Sequence, residues 1–190
     1  LKMPSGRLVV CDPFAAMRRT GNAYVDVPPG EYPVRVTLAD VSGKGDGSHI
    51  REAYATILLS ESAEVVRRAL TPSPTGTLPK DLPPGEYIGF PVDAGTACFV
   101  DQLSLEGCMP DERNWHEGLF ENDSDSSWFS QMDNATNVRE GIANIQLPLS
   151  SSGENLVRFH SGWGDGLYPV VGGFDSEGRL ARVHVDFMVL

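Results

Sequence analysis

The chain has little of what most function classes require. Cys11, Cys98 and Cys108 are its three cysteines, an odd number with no Cys-x-x-Cys spacing. That argues against a disulfide framework and against a structural zinc site, and makes the cytoplasm the expected compartment. Basic residues are scarce as well, with 15 Lys and Arg against 26 Asp and Glu and a net charge of -11. A chain so acidic repels phosphate backbones instead of releasing their counterions. Nucleic acid and anionic membranes are therefore poor partners, and a basic protein or a cation is a better one. No apolar run approaches the roughly 18 to 20 residues of a membrane span, and Leu1-Lys2-Met3-Pro4-Ser5-Gly6 lacks the apolar core of a signal peptide, so a soluble protein is expected. Cofactor motifs are missing too. Gly43-Lys44-Gly45-Asp46-Gly47-Ser48 places its Lys too early for a phosphate-binding loop, and Asn122-Asp123-Ser124-Asp125-Ser126-Ser127 lacks the Gly and terminal Glu of a calcium loop.

Glycine and proline, in contrast, are plentiful, at 20 and 14 residues. They separate short β-type runs at Arg7 to Cys11, Tyr32 to Ala39, Ile50 to Ser60, Glu86 to Pro91, Thr96 to Val100, Ile142 to Leu149 and Leu156 to His160. A last pair, Val170 to Phe174 and Arg179 to Phe187, flanks the turn Asp175-Ser176-Glu177-Gly178 and reads as a hairpin with Val183, Val185 and Phe187 facing the core. Residues 111 to 140 differ, carrying eight acidic side chains against two basic ones. There Trp115, Leu119 and Phe120, then Trp128, Phe129 and Met132, recur at helical spacing, with the Asn122 to Ser127 run supplying a cap for the second helix. The expected fold is mainly β, with mixed antiparallel sheets, sandwich or barrel-like, and a small helical insertion near 110–135. At 190 residues a single domain over 1–190 is natural. The turn Val27-Pro28-Pro29-Gly30-Glu31-Tyr32 recurs as Leu82-Pro83-Pro84-Gly85-Glu86-Tyr87, which keeps open two β-lobes meeting near 71–85.

The densest cluster of special residues is Ser161-Gly162-Trp163-Gly164-Asp165-Gly166-Leu167-Tyr168-Pro169, where glycine lets the backbone approach another group closely. A second is Asp93-Ala94-Gly95-Thr96, with Asp101 eight residues beyond Asp93. The expectation is that the loop 161 to 168 lies beside the 93 to 101 segment and forms the main pocket. Asp93, Gly95, Trp163, Asp165 and Tyr168 are its candidate ligand-binding residues, and Asp93 and Asp165 its candidate ligands for a divalent cation. His160 and Asp101 are the candidates for acid/base work. The plainer alternatives also stand: Asp93 and Asp165 organise turns, Asp101 ends a strand and His160 is a packed histidine.

Val10-Cys11-Asp12-Pro13-Phe14, Pro28-Pro29-Gly30-Glu31-Tyr32-Pro33-Val34, Val92-Asp93-Ala94-Gly95-Thr96, the 161–169 block and the ending Val185-Asp186-Phe187-Met188-Val189-Leu190 together resemble the bacterial family called domain of unknown function 4241. The resemblance runs in order from residue 6 to 190, and the Gly-Trp-Gly-Asp-Gly block is its most specific part. It implies a bacterial domain with no assigned activity, so it carries over no catalytic residue. The second Pro-Pro-Gly-Glu-Tyr copy departs from the family's pattern.

No nucleophile has a base beside it in the sequence, and no metal-ligand or nucleotide-loop spacing occurs. The leading expectation is a non-catalytic binding or interaction module, immunity-type or regulatory, with a basic protein as partner and no cofactor. The alternative is a cation-dependent hydrolase whose pocket joins Asp93, Asp101, His160 and Asp165.

Overall fold

The structure, a computed structural model, describes residues 1–74, 83 and 86–190. The second Pro-Pro-Gly copy and the lobe boundary near 71–85 therefore lie largely outside the described residues. Among the described residues thirteen strands form three antiparallel sheets, with 40% strand, 12% helix and no closed barrel. The expectation of a mainly β, antiparallel fold holds. A middle sheet runs β10 (Ile142–Gln146), β11 (Asn155–His160), β9 (Thr96–Asp101), β2 (Arg7–Cys11), β3 (Tyr24–Asp26). An outer sheet runs β5 (Val34–Asp40), β6 (Ile50–Leu58), β13 (Leu180–Asp186), β12 (Gly166–Phe174), β7 (Val66–Leu70), with β8 (Gly89–Val92) on the first half of β12. A small ribbon pairs β1 (Lys2–Met3) with β4 (Gly30–Glu31). Each of the two large sheets draws strands from both halves of the chain.

The two large sheets face each other across one core. Leu8, Val10, Ala97, Phe99, Val157 and Phe159 from the middle sheet meet Ala55, Ile57, Val170, Val183 and Val185 from the outer one, with Phe187 fully buried between Phe159 and Tyr168 at ring distances of 5.9 and 5.2 Å. In β13 the alternation is clean: Ala181, Val183 and Val185 point inward while Arg182, His184 and Asp186 point out. The turn before it is set by Asp175, whose Oδ1 accepts the Glu177 and Arg179 N–H groups, with Gly178 at φ +78°.

β9 shows no alternation in burial, because both its faces are covered. Ala97 and Phe99 face the sandwich core, whereas Cys98 and Val100 join Val9, Ala143, Ile145 and Leu156 under a third layer that contributes Trp115, Phe120, Trp128 and Met132. That layer is α1 (Gln102–Cys108), a 3-10 turn at Glu112–Asn114, a π turn at His116–Phe120 and α2 (Trp128–Asp133). Two expectations hold there, since aromatic spacing marks both covering turns and Ser127 caps α2 by accepting the Ser130 N–H at 3.1 Å. A further short helix precedes the insertion, because Asp101 starts α1 by accepting the Ser104 N–H at 3.1 Å. The layer is tied down by Arg158 of β11, which is fully buried and donates Nη1 to the Trp128 carbonyl at 3.0 Å. Its guanidinium lies 3.9 and 4.7 Å from the ring centres of Phe14 and Phe129. Burial pulls its pKa down to about 9, against the opposing influence of Cys98, Asp12 and Asp133.

Candidate binding site

The loop that closes β11 and opens β12 is fixed by hydrogen bonds of Ser161, Gly164, Asp165 and Tyr168. Ser161 donates its N–H to the Gly95 carbonyl at 3.1 Å and its hydroxyl to the Gly164 carbonyl at 2.7 Å. The Tyr168 hydroxyl donates to that same carbonyl at 2.8 Å. Gly162 adopts φ +66°, and a Cβ there would come within 2.9 Å of the Glu52 carbonyl oxygen and the Phe187 Cβ. Asp165 Oδ1 accepts the Gly95 N–H at 3.0 Å, so this loop and the 93–95 turn are one unit, as the sequence predicts.

The turn is also held from the far side by a residue that sequence reasoning passed over. Asp12 is fully buried. Its Oδ2 accepts the Asp93 and Ala94 N–H groups at 2.9 and 2.7 Å, and its Oδ1 accepts those of Phe14 and Ala15 at 2.9 and 3.3 Å. The amides of residues 93, 94 and 95 are thus all engaged by carboxylates of the protein itself. They are not backbone opened to a ligand, as the small residues suggested, because an unpaired buried amide is costly and the fold has satisfied these. The signal that marks Asp12 is its place before Pro13, an Asp-Pro turn at a strand end.

Of the candidate residues, Asp93, Gly95, Trp163, Asp165 and Tyr168 fall on this loop pair. Tyr168 is buried and acts as a strut; burial raises its pKa. Asp93 is exposed. Trp163 is 55% exposed and stands outside, its ring 5.6 Å from the Arg51 guanidinium and 6.0 Å from the His49 ring. His160 adjoins the loop, its ring over Gly141, where a Cβ would lie 2.9 Å from Nδ1. Asp101 does not belong to the set. It sits at the opposite end of β9, paired with Leu8 where Thr96 pairs with His160, and five residues of strand span roughly 16 Å. Its carboxylate is fully buried and used up by Ser104 N–H and by the Ser5 N–H and hydroxyl at 3.0 and 2.8 Å.

The four residues of the hydrolase pocket are accordingly not brought together, and among the described residues no three His, Cys, Asp or Glu side chains are grouped to hold a metal ion. The loop contributes no lining residue to a cavity of the described residues that is large enough for a ligand. One of about 610 Å³ opens elsewhere, beside Lys2, Glu31, Tyr32, Asn144 and Asn155. What the loop offers is a rigid, projecting apolar surface. Leu167 and Met188 are about half exposed next to it, bridged by the Tyr87 hydroxyl at 3.1 Å from the Leu167 carbonyl and 3.7 Å from the Met188 sulfur.

A second cluster went unread in the sequence. On the outward face of the outer sheet His184 lies between Thr56 Oγ1, 2.8 Å from Nδ1, and Glu64 Oε2, 2.8 Å from Nε2. Burial lowers the His184 pKa, and Glu64 only partly offsets it; on Glu64 burial acts upward, but hydrogen bonds from His184 and Arg67 bring its pKa below the ordinary value. The alternation Arg182, His184, Asp186 was visible, but that Glu64 would meet it from 120 residues away was not.

No curated protein and no solved structure matches the chain. A family model described as "Protein of unknown function (DUF4241)" matches residues 1–185. The match takes in the Asp12 turn, the 93–95 turn and the glycine-framed loop alike, and the chain belongs to the DUF4241 family.

Proposed function

We propose that the protein is a non-catalytic binding module, immunity-type or regulatory, whose contact surface is the loop 161–168 and whose partner is a basic protein. The observation that carries this reading is Trp163, a 55% exposed indole on a loop immobilised by Gly162, Asp165 and Tyr168. A large aromatic on a rigid support gives up little conformational entropy on contact, and tryptophan is prominent among residues that dominate interface energies. Leu167 and Met188 extend the apolar centre, with the carboxylates of Asp93 and Asp165 on the same loop pair. A net charge of -11 steers a basic partner and repels an acidic one.

The test is affinity capture with the intact protein, identification and purification of what is retained, and titration of that purified partner. Trp163→Ala is expected to raise Kd about a hundredfold with an unchanged circular dichroism spectrum, whereas Val138→Ala, a substitution at another exposed apolar residue, leaves Kd unchanged. An equal Kd for parent and Trp163→Ala overturns this surface, and a partner with acidic net charge overturns the electrostatic part.

A further inference from the structure

The outward face of the outer sheet carries a groove of about 230 Å³ that shares no lining residue with the loop 161–168. Strand register builds it. Gly173 of β12 stands between Arg182 of β13 and Arg67 of β7, and Thr56 of β6 stands between Arg35 of β5 and His184 of β13. Because Gly173 has no side chain, Glu64 lies over it; a Cβ at that position would collide with Glu64 Oε2. Arg67 donates to Glu64 Oε1 from Nε at 2.9 Å and Nη2 at 2.6 Å. An ionised carboxylate only accepts, so the His184 proton sits on Nε2 and Nδ1 accepts from the Thr56 hydroxyl. The floor of the groove is therefore satisfied and fixed.

Its walls are not. Glu64 is the single carboxylate lining the groove, against the three guanidinium groups of Arg35, Arg67 and Arg182. Arg67 takes most of it, Arg182 reaches it only at 3.9 Å, and Arg35 has no ion pair among the described residues. Asp186, two residues along β13 from His184, accepts the Met188 N–H at 2.8 Å and does not line the groove. A protein with 26 acidic side chains has thus gathered three arginines from three strands around one pit and left two of them without a close anion. Guanidinium forks match the paired oxygens of carboxylate and phosphate groups.

We propose that this groove binds a small soluble ligand by a phosphate or carboxylate group, held between Arg35 and Arg182 above the Thr56–His184–Glu64 floor. The site is independent of the Trp163 surface, so its failure would leave that reading standing.

The experiment is titration of the intact protein with inorganic phosphate and, separately, succinate, at an ionic strength held constant with sodium chloride and followed by amide chemical shifts, which also report whether each variant is folded. Saturable shifts at residues of β5, β6 and β13 with one of the two anions are expected, and Arg35→Gln and Arg182→Gln should each raise the apparent Kd about tenfold. Arg35 is exposed on an edge strand, so its variant keeps the fold testable even if Arg182→Gln does not. Trp163→Ala should bind the anion as the parent does. Shifts that fail to saturate with both anions, or that Arg35→Gln retains undiminished, overturn the proposal.

Discussion

Asp165 and Gly95 are joined by a hydrogen bond of 3.0 Å that spans 70 residues of sequence. The carboxylate oxygen takes the one amide of the 93–95 turn that Asp12 does not reach. The bond lies at the surface, and its removal should cost little. In chemical denaturation Asp165→Asn, which keeps an acceptor oxygen, should fall within about 0.5 kcal/mol of the parent, and Asp165→Ala within about 1 kcal/mol. Phe187→Ala, by contrast, empties a site between Phe159 and Tyr168 and should cost roughly 3 kcal/mol or more. If the Asp165 variants lose as much as Phe187→Ala, the loop is a keystone of the fold and not a platform standing on it.

Two glycines of the loop separate strain from crowding. Gly164 has φ +102° with nothing within 4 Å of a Cβ, so Gly164→Ala should lose about 1 to 2 kcal/mol from backbone strain alone. Gly162 adds overlap with the Glu52 carbonyl and Phe187, and Gly162→Ala should lose roughly 3 kcal/mol or more. Urea unfolding of the two variants checks the order, and Gly162→Ala as mild as Gly164→Ala would mean that the loop is not pressed onto the C-terminal segment.

The Thr56–His184–Glu64 row makes a prediction about acid. The folded-state pKa of His184 is depressed below its ordinary 6.5, so the folded protein binds fewer protons there than the unfolded chain once the pH falls below that value. Its contribution to stability is complete above 6.5 and declines as the pH drops through the interval down to the folded value. Glu64, also depressed, adds a further loss as the pH falls below 4.5. Unfolding free energies measured from pH 7.5 down to 5 should decrease in the parent and flatten in His184→Gln. An unchanged slope in the variant would assign the acid lability to other groups.

Much of the fold was legible because β-structure writes itself locally here. β13 alternates, β2 matches its predicted bounds, and the Asp175 turn closes within the residues that announce it. α1 was not legible, since Asp101 reads equally as the last residue of a strand and as a helix cap, and only its contacts with Ser5 and Ser104 decide. The candidate site was legible as the pairing of loop and turn, but the partners of the turn's amides were not. The small residues of 93–95 accommodate Asp12 and Asp165 from within the chain, and partners 81 and 70 residues away leave no local trace. The Glu64–His184 contact was hidden for the same reason.

β9, covered on both faces, has a kinetic consequence. Its neighbours arrive from opposite directions along the chain: Cys11 lies across from Cys98, 87 residues earlier, and Arg158 lies across from the same residue on the other side. Neither pairing can be seeded by a tight turn, and each must close a long loop before its contacts compensate the lost entropy. The outer sheet has the β12–β13 hairpin to begin from; the middle sheet can start from the β10–β11 pair, but β9 has to dock onto it afterwards. Refolding after dilution from denaturant should accordingly be slow, on the order of milliseconds to seconds as for other sheets of distant strands. Protection of the β9 amides against hydrogen exchange should appear after that of the β12–β13 hairpin, which makes a strand buried along its whole length a late one to find its place.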